Sequence, residues 1–347
     1  MEKIIVNASK KYDILIGKGL LAQAGALSRA VLNGRKIALI ADSNVAGLYL
    51  KPAREAFVQA GFEVLPFIFP AGEQSKRIAE YAGILSFLAQ NGFARSDAVA
   101  ALGGGVTGDL AGFAAATYMR GIQFVQLPTT LLAMADSSVG GKTGIDLPEG
   151  KNLAGAFWQP SLTVADAALL ASLPETEIQN GAAEIIKAGV LAGGELWDLL
   201  QNGGKFTDEN VIARAIRLKR DIVEADEFEC GKRRLLNLGH TAAHAIELLS
   251  DYTIPHGAAV AKGLALILGA GVRRGLTGAD TRGAVLKQLE RAGLDTSPTF
   301  PIKDIARACA GDKKSAGGRI ALIVARGIGD CRAEEMPLGG LEEFFNA

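Results

Sequence analysis

Short apolar runs alternate with amphipathic stretches through the first half of the chain. KIALIADSN, EVLPFIFP, DAVAALGGG and QFVQLPTT read as strands, and AGLYLKPAREAFVQAGF, SKRIAEYAGILSFLAQNG and GDLAGFAAATYM as the helices that connect them. This alternation predicts an open, mostly parallel α/β sheet whose ligands sit at the strand C-termini. KIIVNAS and YDILIG, with little between them, are expected to pair as a hairpin at the sheet edge. Beyond about residue 170 the texture changes: ETEIQNGAAEIIKAGVLAG, VIARAIRLKRDIVEADEF, RLLNLGHTAAHAIELLSD and HGAAVAKGLALILGAGVRRG are long and helical in period. Only RIALIVARGIG reads as a returning strand or hairpin. The expected class is α/β, with a Rossmann-like parallel-sheet domain over residues 1–170 and a mainly α-helical domain over residues 171–347.

A chain of 347 residues, 49 % hydrophobic, has enough apolar side chains for two ordinary cores. Lys plus Arg equals Asp plus Glu at 37 each, so no general field attracts nucleic acid or an anionic membrane. Any anion site must be local. The opening MEKIIVNASKKYDILIG has no apolar core of a signal peptide, and later apolar stretches are interrupted by Asp109 or Lys262. A cytoplasmic protein is expected. Cys230, Cys309 and Cys331 lack any paired spacing and read as reduced thiols without chemistry.

Gly103, Gly105 and Gly108 in GGGVTGDLAGF form a G-x-G-x-x-G between a strand and a helix, where bare backbone lets a pyrophosphate approach a helix N-terminus. A tight connection gives the same spacing. The usual acid about 20 residues downstream is missing, since the next acid after Asp109 is Asp136. Asp42 at the end of the first crossover strand, with Asn44 beside it, is an alternative ribose partner. VGGKTG is not a phosphate-binding P-loop, because Asp136 occupies the position of its first glycine. Lys142 still stands in a Gly-rich loop suited to an anion.

The three histidines, His240, His244 and His256, cluster within residues 240–256. Arg233, Asn237, His240 and His244 follow spacings of four, three and four, which predicts one polar helical stripe within apolar sequence. A metal or an anionic ligand would satisfy such a stripe. A zincin protease is excluded, since Thr241 stands where its general-base Glu belongs. Glu184 in GAAEIIKAG is a candidate third ligand; its other reading is a surface ion pair with Lys187. His256 completes a Glu/His/His set that leaves room for substrate, as catalytic zinc requires. Arg120, Lys142, Lys151, Lys187, Lys219, Arg233 and Lys313 stand near these motifs, more cations than a dinucleotide alone needs.

GEQSK at 72–76, GGGVTGDLAGF at 103–113, PTTLLAMADSSVGGKTGID at 128–146, KNLAGAFWQP at 151–160, AAEIIKAG at 182–189, LLNLGHTAAHAIE at 235–247 and HGAAVA at 256–261 form an ordered series. It resembles the motif series of the 3-dehydroquinate synthases, within the sugar phosphate cyclases, over nearly the whole chain. The resemblance implies an NAD-binding α/β domain, a helical metal-binding domain and an active site in the cleft between them. NAD contacts are implied at Asp42, Asn44, Gly72, Glu73, Gln74, Lys76, Gly104, Gly105, Val106, Thr107, Gly108, Asp109, Thr129, Thr130, Lys142, Lys151, Leu169, Leu170, Ala171 and Ser172. Glu184, His240 and His256 are implied ligands of one zinc or cobalt ion. Asp136, Lys142, Asn152, Lys187, Lys219, Arg233, Asn237, His244 and Lys313 are implied substrate or catalytic residues, with Arg120 reaching across a homodimer interface.

Two departures stand out: Ala258 replaces the acid usual after His-Gly, a loss expected to remove a partner of a metal ligand, and Ser172 replaces the Thr common before Leu-Pro. The implied reaction takes a phosphorylated sugar acid, 3-deoxy-D-arabino-heptulosonate 7-phosphate, through transient oxidation, phosphate elimination, re-reduction and aldol closure. The substrate phosphate would serve as its own base. The rival readings are a cyclase acting on another sugar phosphate and a glycerol dehydrogenase-like, metal-dependent polyol dehydrogenase.

Overall fold

The computed structural model describes residues 1–311 and 318–346. Its chain divides into two units, Met1–Leu173 with Lys219–Phe228, and Pro174–Leu218 with Glu229–Ala347.

The first unit is built on β1 (Glu2–Asn7), β2 (Lys11–Gly17), β3 (Lys36–Asp42), β4 (Glu63–Phe69), β5 (Ala98–Gly103), β6 (Gln123–Pro128), β7 (Lys142–Leu147), β8 (Gly150–Phe157) and β9 (Leu162–Asp166). Seven of these form one sheet in the order β1-β2-β9-β6-β5-β3-β4. Every pairing from β2 to β4 is parallel, and β1 closes the edge as the antiparallel half of the expected hairpin. Every residue of β5 is buried, because helices cover both faces of a parallel sheet. Ile40, Val99 and Phe124 of the sheet pack with Ile84 and Leu88 of helix Ile78–Gln90 and with Leu110 and Ala114 of helix Gly105–Thr117. The Rossmann-like expectation is met.

The hairpin of β7 and β8 was not expected from the sequence. Glycine is a poor strand former and hides the alternation there. The sheet requires it nonetheless: Gly155 lies so close to β7 that a Cβ would stand 2.1 Å from Thr143 O. The segment Lys219–Phe228 also departs from the sequence reading, which kept it with the helical domain. Its polar side chains explain the difference, since Glu224 Oε1 accepts from Asn7 N at 2.6 Å, Glu227 Oε2 from Ser9 N at 2.7 Å, and Lys219 donates to Asp136.

In the second unit the helices Glu175–Ala192, Gly194–Gln201, His240–Leu249, His256–Arg273, Ala279–Arg291 and Ile302–Gly311 are joined by an antiparallel hairpin of β10 (Arg319–Gly327) and β11 (Asp330–Pro337). Among the described residues no helix is long and apolar enough to cross a membrane. The single helical stripe expected over Arg233 to His244 is corrected. Arg233 and Asn237 lie on a 3₁₀ turn, Lys232–Asn237, and Gly239 at φ +77° breaks the chain before a new helix starts at His240. Only glycine takes that conformation without strain.

The break is forced by packing. Helix His256–Arg273 approaches so closely at Gly263 that a Cβ there would stand 2.2 Å from Gly239 O. We expect Gly263→Ala to destabilise the protein by about 1–3 kcal/mol, read as a lower urea midpoint, because the turn that carries His240 must shift to admit the methyl group.

Candidate active site

Three elements of the second unit deliver the acid and the imidazoles. Glu184 sits in the middle of helix Glu175–Ala192, and His240 and His256 each open a helix of their own. Glu184 Oε1 lies 3.3 Å from His240 Nε2 and 3.2 Å from His256 Nε2. Ligands bound tetrahedrally at roughly 2.0–2.1 Å stand about 3.3–3.4 Å apart, so this spacing already fits a divalent ion. One ligand atom from each residue falls within 4.8 Å of the others. The far ring nitrogens face acceptors: His240 Nδ1 is 3.2 Å from Leu238 O, and His256 Nδ1 is 3.6 Å from Glu247 Oε1. With its proton on Nδ1, each ring in its neutral form has the Nε2 lone pair for a metal. His256 keeps 32 % side-chain exposure, an open side for a further ligand.

Burial of Glu184 favours its neutral form, yet Lys187, whose Nζ is 2.5 Å from Oε2, and then His240 hold the carboxyl well below the usual range. His240 is kept neutral by burial and by the Lys187 charge. Burial also opposes a charge on His256, but hydrogen bonds and charge from Glu184 and Glu247 outweigh it and push the ring up to about 10. The surface ion-pair reading of Glu184 fails, since Glu184 and Lys187 are each 3 % exposed. His244 follows on the same helix, its ring 5.5 Å from that of His240. Arg233 is buried, and Asn237 Nδ2 donates to Glu229 Oε1 at 2.9 Å. Lys313 lies outside the described residues.

In the first unit, Asp42 ends β3 and its Oδ1 accepts from Asn44 N at 2.9 Å and Val45 N at 3.0 Å, leaving Oδ2 3.5 Å from Thr107 Oγ1. Gly104 caps helix Gly105–Thr117, and Gly103 cannot carry a side chain, since its Cβ would stand 2.3 Å from Thr107 Oγ1. That bare helix N-terminus suits a pyrophosphate. Thr129 Oγ1 is buried there with no hydrogen-bond partner among the described residues, a donor available to a ligand. Lys76, 5 % exposed, bonds Asp109 Oδ2 at 2.6 Å and Asn152 Oδ1 at 2.5 Å. Burial opposes its charge, but Asp109 and Glu73 more than offset this and raise its pKa.

Lys151 pairs with Glu73 at 3.4 Å, and Lys219 Nζ reaches Asp136 Oδ1 at 2.7 Å. Tyr49 Oη is 3.2 Å from Leu169 O and 2.5 Å from Ser172 Oγ, so it fixes the 169–172 segment. Gln74 Nε2 turns back to Ala71 O, and Gly72 stands at φ +113°. Lys142 and Arg120 are exposed, Arg120 on a left-handed turn at φ +66°. Val106 lies on the first turn of helix Gly105–Thr117, Leu170 and Ala171 lie on the 3₁₀ turn Ala167–Ser172, and Thr130 Oγ1 accepts from Ala133 N at 3.1 Å.

Two residues escaped the sequence reading. Asp146 Oδ1 accepts from Asn152 N at 2.8 Å, and this holds Asn152 at φ +56° with its amide oxygen on Lys76. Glu247 follows His244 by three residues and so continues the four-three-four spacing that picked out the histidines.

Residues 66–180 match the family described as 3-dehydroquinate synthase N-terminal, and residues 181–315 match 3-dehydroquinate synthase C-terminal. A 3-dehydroquinate synthase of Latilactobacillus sakei subsp. sakei (strain 23K) is 42 % identical, with 97 % of this chain and 96 % of the relative covered. The chain belongs to the 3-dehydroquinate synthase family. Among solved structures similar to this family member, 2-deoxy-scyllo-inosose synthase complexed with carbaglucose-6-phosphate, NAD+ and Co2+ superposes with a TM-score of 0.88 at 25 % identity, covering 99 % of both chains. The 2-epi-5-epi-valiolone synthase of Streptomyces hygroscopicus subsp. jinggangensis 5008, with NAD+ and Zn2+ bound, gives 0.86 at 28 % identity over 96 % of both chains.

The Glu184–His240–His256 set of this 3-dehydroquinate synthase family member makes a prediction about protons. A metal needs neutral imidazoles, whereas His256, raised to about 10, is protonated at neutral pH. Titrating zinc into chelator-stripped protein at pH 7 is therefore expected to release about one proton per ion. Calorimetry in two buffers of different ionisation enthalpy reads this directly.

Proposed function

We infer that the protein converts 3-deoxy-D-arabino-heptulosonate 7-phosphate to 3-dehydroquinate and inorganic phosphate, using NAD and one divalent metal ion. The convergence of Glu184, His240 and His256 in a chain kin over 97 % of its length to a 3-dehydroquinate synthase carries this reading. When bound, NAD would supply reversible hydride acceptance for the alcohol at the substrate's fifth carbon, and a metal held by Glu184, His240 and His256 would supply Lewis-acid polarisation of its oxygen.

The chain's own residues supply orientation and charge. Glu184, His240 and His256 hold the ion, and Lys187 neutralises the remaining carboxylate oxygen of Glu184. The Gly104 turn and Thr129 receive the nucleotide phosphates, while the Lys76–Asp109–Asn152 network fixes the groups beside them. Arg233, Asn237 and His244 are assigned to the substrate's anionic and hydroxyl groups, with His244 as proton relay. Lys142, Lys219 and Asp136 have the same assignment on the first unit. The reading includes a cytoplasmic homodimer in which exposed Arg120 serves the partner copy.

Chelator-stripped protein should release phosphate from 3-deoxy-D-arabino-heptulosonate 7-phosphate only after zinc or cobalt and NAD are restored, with no net rise in NADH absorbance. Net NADH from a polyol without phosphate release would instead favour a polyol dehydrogenase. Turnover of a carboxylate-free sugar phosphate, with none of this substrate, would favour another cyclase.

A further inference from the structure

Glu247 is 4 % exposed on helix His240–Leu249, between neighbours Ala243, Ala245 and Ile246 that are all buried. A carboxylate in such surroundings is costly without a charged or donating partner. One such partner is His256, whose Nδ1 lies 3.6 Å from Glu247 Oε1 while its Nε2 faces Glu184 Oε1 at 3.2 Å. The two imidazoles of the trio are thus steered differently. His240 Nδ1 faces a backbone carbonyl, Leu238 O, fixed by the turn itself. His256 Nδ1 faces a side chain carried by another helix.

We propose that Glu247 is a positioning residue of the metal centre: by accepting the Nδ1 proton of His256 it fixes the tautomer and ring angle that present Nε2 as a ligand, and so strengthens metal binding. This rests on the metal reading of Glu184, His240 and His256. The proton stays on Nδ1 throughout, and no bond to carbon is made or broken. The 3.6 Å separation is an ion-pair distance, so the Glu247 carboxylate favours a proton on the facing Nδ1 by its charge as well as by its position. Carboxylates in this role raise the basicity of the ligating nitrogen as well as its orientation, and their loss lowers metal affinity by roughly 10–100-fold.

The test uses full-length, chelator-stripped protein and zinc in competition with a chromophoric chelator. Glu247→Leu, which keeps volume without an acceptor, is expected to weaken zinc binding by about 10–100-fold. Glu247→Gln, which keeps the acceptor oxygen without the charge, should fall between Leu and the parent. The visible spectrum of the cobalt(II) form and the ¹⁵N shifts of the His256 ring should change in both variants, a response that loss of helix packing alone would not produce. An unchanged zinc affinity and cobalt spectrum in the folded variants would overturn the proposal. If Glu247→Leu does not fold, the isosteric Glu247→Gln decides on these same readouts. Should the parent protein itself bind no metal in one-to-one ratio, the metal reading falls and this inference with it, whereas a binding parent with indifferent variants sinks only the role of Glu247.

Discussion

A single buried carboxylate governs the second unit. Glu184 is charged in surroundings where a lone charge would be prohibitive, so the chain must bring partners to it. Lys187 arrives from one turn along the same helix, and the two histidines come from the first positions of two other helices. Those helix starts are located by backbone packing, since the Gly239 turn and Gly263 touch without room for a methyl group. The small residues of this unit therefore set where the imidazoles stand around Glu184.

The first unit solves a different problem with the same physics. Lys76 is buried with Asp109, and its second partner, Asn152, has to be held in a left-handed conformation that costs energy for a residue with a side chain. Asp146 meets that cost by binding the Asn152 amide, while its own amide donates to Lys76 O at 2.7 Å. The β7–β8 hairpin is thus a frame that returns the chain to Lys76, and its glycines let the two strands approach closely enough to do so.

How far these arrangements could be read in the sequence depends on which signal each relied on. The strands β3, β5 and β6 were legible because buried strands are continuous apolar runs, the edge strand β4 because its run EVLPFIF is apolar although half-exposed, and the edge hairpin because its two halves adjoin. The β7–β8 hairpin was illegible, as glycine carries no hydrophobic period. The polar spacing from Arg233 to His244 led to His240, which does stand beside Glu184, by a geometry the chain does not adopt. It assumed one helix, whereas the chain breaks at Gly239, and only close packing with Gly263, invisible in a linear pattern, requires the break. The same spacing extended by one step would have reached Glu247. Asp146 offered no comparable signal, because its importance comes from a backbone angle six residues later.

Architecture alone does not select the substrate. The 2-deoxy-scyllo-inosose and 2-epi-5-epi-valiolone synthases share this fold over nearly their full length at 25–28 % identity, so selectivity has to reside in individual side chains. This chain buries Lys187, Lys219 and Arg233, at 3, 8 and 1 % exposure, and engages the first two with Glu184 and Asp136. Buried cations are retained against their desolvation cost only where anions meet them. Here Glu184 and Asp136 already meet two of them, so replacing either lysine with a neutral side chain would leave a carboxylate uncompensated, and a change at one such position alters the charge that the surrounding groups tolerate.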